Sequence, residues 1–134
     1  MLSKKAQYAL KALTYLATKT KDGPVLITTI ANEKNIPLKF LESILLELKK
    51  ADILGSKKGK GGGYFLQQDP RKISLAKIIR IIDGPIALLP CVSLYFYERC
   101  KDCNEKVCNL NHVLIQARDA ILSVLENKML QDIV

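Results

Sequence analysis

Four cysteines, Cys91, Cys100, Cys103 and Cys108, fall within 18 consecutive positions, and the 90 residues before them contain none. Thiolates are soft ligands and redox-active nucleophiles. Such a group suits metal binding or thiol chemistry better than a disulfide framework in a reducing compartment. The spacing is Cys-x8-Cys-x2-Cys-x4-Cys, and four residues later comes the only histidine, His112. If a helix starts there, Cys108 and His112 stand four apart on one face and can ligate one centre. Spacing alone leaves three chemistries open. One is an iron–sulfur cluster held by three or four of these side chains. Another is structural zinc, for which Cys100-x2-Cys103 is a familiar half-site while Cys108-x3-His112 is unusually short. The third is no metal, with the thiols themselves responding to oxidants. Glu98, Asp102 and Glu105 interleave with Arg99, Lys101 and Lys106, so local charge does not choose between them.

The rest of the chain carries a different signal. Of 134 residues, 49% are apolar, enough for a real core, and the length suits one domain or one domain with a small appendage. The net charge of +8 is unevenly placed. Residues 1–90 hold 16 Lys/Arg against 7 Asp/Glu, a net of +9, whereas residues 91–134 hold 5 against 6. A polyanion-binding part joined to a part with another task is the physical reading. No run approaches the roughly 18 apolar residues of a membrane span. The N-terminus enters an amphipathic pattern with no apolar signal core, so a cytoplasmic protein with no membrane partner is expected.

The elements follow from periodicity. Tyr8, Ala9, Ala12, Leu13, Leu16 and Ala17 repeat at helical spacing, predicting a helix over about Lys4 to Thr20. Thr28 or Thr29 can cap a short second helix to about Lys34. After a turn at Asn35-Ile36, Pro37 suits the first turn of a third helix, with Leu38, Leu41, Ile44, Leu45 and Leu48 on one face up to about Asp52. Two strand-like runs, Ile53–Lys57 and Tyr64–Leu66, flank a Gly/Lys turn and predict a hairpin. Ser74 caps a fourth helix that stops at Asp83-Gly84-Pro85. Leu110 to about Lys128 forms a long terminal helix whose apolar stripe needs a partner surface. The expected fold is mainly α with a small β-hairpin wing: a winged helix-turn-helix plus a long C-terminal helix.

That order suits double-stranded DNA. A helix enters the major groove while a cationic hairpin reaches phosphates. The candidate base-facing residues open the third helix: Lys39, Phe40, Glu42 and Ser43. Phe40 can meet a thymine methyl group or simply pack. Thr28 joins this surface, and Lys4 and Lys5 can add phosphate contacts. The wing supplies Lys57, Lys58, Gly59, Lys60 and Gly61, where glycines permit close backbone approach and lysines neutralise phosphate. A P-loop is excluded because Gly59-Lys60 is followed by Gly61 and a strand-like run, not by Ser/Thr and a helix. No nucleophile–base pair or carboxylate dyad stands out, so an enzyme is not expected. A winged helix that docks protein instead of DNA is the alternative from another class.

These residues resemble the BadM/Rrf-two family of bacterial winged helix-turn-helix transcriptional regulators. The likeness rests on Tyr8-Ala9-Leu10, on Ile36-Pro37-Leu38-Lys39-Phe40-Leu41-Glu42, and on the wing signature Gly59-Lys60-Gly61-Gly62-Gly63-Tyr64. It continues through Ile79–Asp83, the cysteine segment and the terminal helix. The resemblance implies a homodimer joined by the terminal helix, and palindromic operators. It implies three regions: a DNA-binding domain (1–84), a cysteine sensing segment (85–109) and a dimerisation helix (110–134). In cluster-binding members, three cysteines hold a [2Fe–2S] or [4Fe–4S] centre with a non-cysteine fourth ligand. Cys91 and Cys108 match the outer cysteines of that pattern. The chain departs from it in having two middle cysteines, Cys100 and Cys103, in placing His112 one residue late, and in carrying Gln7 where some members place an aspartate ligand. The resemblance thus implies sensing of redox, iron or nitric-oxide state, while the cysteine spacing keeps zinc as the alternative metal.

Overall fold

The first helix begins where a side chain can satisfy its open N–H groups. The Ser3 hydroxyl accepts from the Ala6 N–H at 3.0 Å. In the computed structural model, which describes all residues 1–134, the elements are α1 (Lys4–Thr18), α2 (Ile27–Lys34), α3 (Leu38–Lys50), β1 (Leu54–Lys57), β2 (Gly63–Leu66), α4 (Leu75–Asp83) and α5 (Asn109–Leu125). Short 3-10 turns lie at Pro70–Lys72, Pro90–Val92 and Leu130–Ile133. The expected architecture, mainly helical with one hairpin, is what forms.

Local starts and stops differ from expectation in instructive ways. Neither Thr28 nor Thr29 caps α2, because the helix already begins at Ile27 and no side chain caps it. The chain direction there is set by tertiary pairing. Val25 and Tyr64 exchange two backbone hydrogen bonds of 2.8 Å, which aim the segment into the helix before the threonines are reached. Asn35 ends α2 in the left-handed region at φ +53°, a conformation asparagine tolerates. Pro37 sits one residue ahead of α3 rather than inside its first turn. Ser74 does cap α4, accepting from the Lys77 N–H at 3.1 Å.

One core holds the first 84 residues. Leu13, Ile30, Leu41, Ile44, Leu45, Leu48, Ile53, Leu54, Ile73 and Ile78 are all fully buried in it. Burying each such side chain contributes about 1.5–3 kcal/mol. The hairpin is antiparallel, with Leu54 opposite Leu66 and Lys57 opposite Gly63. Leu38, expected on the apolar face of α3, is instead exposed.

The chain end makes an unexpected return. Leu130, in the last 3-10 turn, is fully buried in the winged-helix core. Its N–H donates to the Ile73 carbonyl at 2.7 Å, and the Leu75 N–H donates to the Lys128 carbonyl at 2.9 Å. The C-terminal end of α5 is therefore tied down. Arg80 pairs with Glu126 at 2.7 Å, and Arg118 donates to the Val92 carbonyl at 2.7 Å. Yet only Asn111 and Leu122 of α5 are buried, and Leu110, Val113, Ile121 and Val124 face outward. No helix is long and apolar enough to cross a membrane.

Candidate functional site

Helix α3 presents its polar stripe opposite the core. Leu41, Ile44, Leu45 and Leu48 point in, so Lys39, Glu42, Ser43, Leu46 and Lys50 share the outer face at i, i+3, i+4, i+7 and i+11. Lys39, Glu42 and Ser43 are exposed where the sequence reading wants them. Phe40 is half-buried. Its ring meets Tyr8 edge to face, centroids 5.6 Å apart at 81°, so this side chain packs α3 onto α1. The Ser43 hydroxyl turns back to donate to the Phe40 carbonyl at 2.9 Å. Thr28 is exposed on α2.

Basic residues of α1 divide in two. Lys5 is tied to Glu47 of α3 by an ion pair, so its charge is matched within the fold. Lys4 and Lys11 stay exposed, with their ammonium groups 5.2 and 5.9 Å from the Tyr8 ring centroid. The ring's negative face attracts both cations and holds them beside α3.

The wing tip is tight enough to require its glycines. A Cβ at Gly62 would lie 2.2 Å from the Lys57 carbonyl oxygen, and one at Gly63 would lie 2.3 Å from that of Val25. Lys57, Lys58 and Lys60 are exposed at this turn, and none takes part in any of the four ion pairs of the structure. Three unmatched cations on a stiff glycine turn are a suitable phosphate-binding device.

The cysteines are gathered around the start of α5. Cys108 occupies its N-cap, and its sulfur accepts from the Asn111 N–H at 3.4 Å. The Asn111 side-chain amide donates to Cys91 Sγ at 3.6 Å. The Cys103 thiol donates to Cys100 Sγ at 3.1 Å. Because Cys108 is non-helical, it and His112 do not form the expected pair on one helical face; they are linked through the backbone, His112 N–H to Cys108 carbonyl, at 3.2 Å. The His112 side chain is exposed. No three Cys, His, Asp or Glu side chains stand together as a cage for a single metal ion.

Glu105 organises the loop. Its carboxylate accepts from the Tyr97 hydroxyl at 2.7 Å and from the Cys100 N–H at 2.8 Å. Those two bonds favour the ionised form and hold its carboxyl below the usual range. The Cys103 thiol, donating to Cys100, lowers the Cys100 pKa, with the Asp102 N–H assisting. The same bond pushes Cys103 up to about 12.

With this geometry in view, the chain was compared with known proteins. Residues 2–134 match the family described as Rrf2, iron-dependent transcriptional regulator. The chain belongs to the Rrf2 family. An HTH-type regulator of Rhodobacter capsulatus described as rrf2-like is 40% identical over 136 residues, spanning 98% of this chain and 91% of that one. CymR of Bacillus subtilis, the global cysteine regulator of that bacterium, is 32% identical across 98% of this chain and 88% of its own length. Its solved structure superposes with a TM-score of 0.81, covering 99% of this chain and 95% of that one. The T. potens IscR structure follows at a TM-score of 0.77 and 27% identity, covering 99% and 85%. This Rrf2 chain is therefore a DNA-binding transcriptional regulator built on a winged helix, and its relatives are regulators, not enzymes.

One exposed residue of the Rrf2 chain's α3 escaped the sequence reading. Leu46 is 47% exposed in the middle of the polar stripe. Its position, four residues after Glu42 and seven after Lys39, was the available signal. Leucine masked it, because leucine reads as core.

Proposed function

We propose that this Rrf2 regulator is a homodimer that binds palindromic operator DNA and senses redox, iron or nitric-oxide state through an iron–sulfur cluster. Residues 1–84 grip DNA, residues 85–109 carry the sensor, and residues 110–134 join two copies. Lys39, Glu42 and Ser43 of α3 reach base edges, while Lys57, Lys58 and Lys60 of the wing and Lys4 of α1 neutralise phosphates. The outward Leu110, Val113, Ile121 and Val124 of α5 supply an apolar face that a second copy would bury.

The cluster reading is carried by how the sulfurs are spread. A single zinc ion wants its donors around one point, with ligand sulfurs roughly 3.8 Å apart given Zn–S near 2.3 Å. Here the thiols fall into two pairs instead of a cage: Cys91 and Cys108 on Asn111, and Cys103 on Cys100. A multi-iron centre distributes its ligands over several metal atoms, so a spread set of soft donors fits it better. The family's description as iron-dependent supports the same choice. Cys91, Cys108 and one of Cys100 and Cys103 would hold the cluster, with His112 the nearest histidine. When bound, such a group supplies a redox-active, oxidant-labile centre. Asn111 contributes N–H donors to two of the sulfurs, and such donors tune a cluster's potential. The sensor adjoins the N-terminus of α5, so a change there reaches the dimer helix directly. A coupling of roughly 1–3 kcal/mol would alter operator affinity about 5- to 150-fold.

Purification under anaerobic conditions tests the reading. The expected result is a coloured protein with visible charge-transfer absorption that Cys108→Ala abolishes. A colourless protein holding stoichiometric zinc would overturn it.

A further inference from the structure

Two of the four thiols stand apart from the others in being in direct contact. Cys100 Sγ and Cys103 Sγ are 3.1 Å apart, whereas Cys91 and Cys108 each accept a hydrogen bond from Asn111, which stands between them. A disulfide sulfur pair sits at about 2.05 Å, so closing this contact asks for only about 1 Å of approach. The loop that would move is held by polar contacts, not by a packed core. Every residue from Leu94 to Arg99 is exposed, as is every residue from Lys101 to Asn104. Cys100 and Cys103 open onto a surface groove they share with Glu98, Arg99 and Lys101, so a small oxidant has access.

We propose that Cys100 and Cys103 form a reversible dithiol–disulfide switch, oxidised by hydroperoxides. One thiol attacks the peroxide: an S–O bond forms, the O–O bond breaks, and one water leaves with a sulfenic acid remaining. The second thiol attacks that sulfur: the S–S bond forms and a second water leaves. Two thiols lose two hydrogens in all, and hydrogen peroxide is reduced to two waters. A dithiol reductant reverses the step by exchange. While bonded to each other, neither sulfur is free as a thiolate ligand. The disulfide therefore takes the middle position away from any cluster, a second input that rests on the proposed sensing function. The chemistry of the pair itself does not depend on that function.

The test uses the full-length chain, reduced and metal-free, treated with a few equivalents of hydrogen peroxide, blocked with N-ethylmaleimide and digested with trypsin. The titratable thiols should fall from the four free cysteines to two. The fragments Cys100–Lys101 and Asp102–Lys106 should appear joined and two hydrogens lighter, and dithiothreitol should separate them. Cys103→Ser should instead leave a sulfenic acid on Cys100 that dimedone traps. A Cys91–Cys108 bridge, an intermolecular bridge, or sulfinic acid on one cysteine at the same dose would overturn the proposal. Anaerobic cluster colour and duplex-DNA binding by the reduced chain are read separately. Colour and binding without the 100–103 link defeat the switch alone. The link without colour defeats the cluster reading and leaves the dithiol chemistry standing.

Discussion

The winged helix and the cysteine segment are held by different forces. The first rests on 16 buried residues in one cluster, drawn from α1 to α4, the chain leading into and through the hairpin, and Leu130. Between residues 85 and 109, only Val92 and Ser93 are buried. That segment depends on polar contacts: Glu105 to Tyr97 and Cys100, Ser93 to Phe96, and the sulfur contacts around Asn111. A region with few buried apolar contacts opens at low free energy, while a packed core opens only with the whole domain. The winged helix is thus built to keep its shape, and the cysteine segment can change its own at lower cost. Their junction lies at α4 and α5, where Arg80 meets Glu126 and also stacks 4.4 Å from the Tyr95 ring centroid.

The largest expected effect measures that contrast directly. Leu45→Ala, at a fully buried site, should lower stability by about 2–5 kcal/mol in urea denaturation. Val107→Ala, at a site 72% exposed, should stay within about 0.5 kcal/mol. Equal losses at the two sites would break the comparison. Next comes a change that spares the fold but touches its use. Lys58→Ala with Lys60→Ala should weaken duplex binding and flatten the log–log salt dependence by about 1.8, since each phosphate contact contributes about 0.9. An unchanged slope would point to a protein partner. The smallest effect concerns the edge of the winged helix. Arg71 hydrogen-bonds Asp69 and holds its carboxyl below the usual 3.8. A depressed carboxylate adds stability above its unfolded pKa and loses it as pH falls through the folded one. The thermal midpoint of Asp69→Asn should therefore lie slightly below that of the parent at pH 6, and the gap should close below about pH 4. A gap that persists at low pH would assign the effect to lost capping.

Much of the molecule was legible in the residues because its signals are local. Helical spacing of Ala9, Ala12, Leu13 and Leu16 needs only the chain's own geometry, and so does the glycine turn of the wing. What stayed out of reach fell where a distant partner decides. Lys5 reads as a free cation until Glu47, 42 residues away, takes its charge. Phe40 has a base-contact alternative until Tyr8 meets its ring. Thr28 reads as a cap until Val25 pairs with Tyr64.

The sequence by itself determined that a helix-turn-helix and a lysine-bearing hairpin would form, and that four thiols would lie close along the chain. Periodicity and glycine conformation act over a few residues, so no further information was needed. Only the tertiary structure decided that Leu130 returns to the core and that Asn111 comes between Cys91 and Cys108. Those outcomes depend on how α5 docks against α4 and the turn at Pro90–Val92. Docking is a sum of many weak contacts between distant segments, and no local pattern records it.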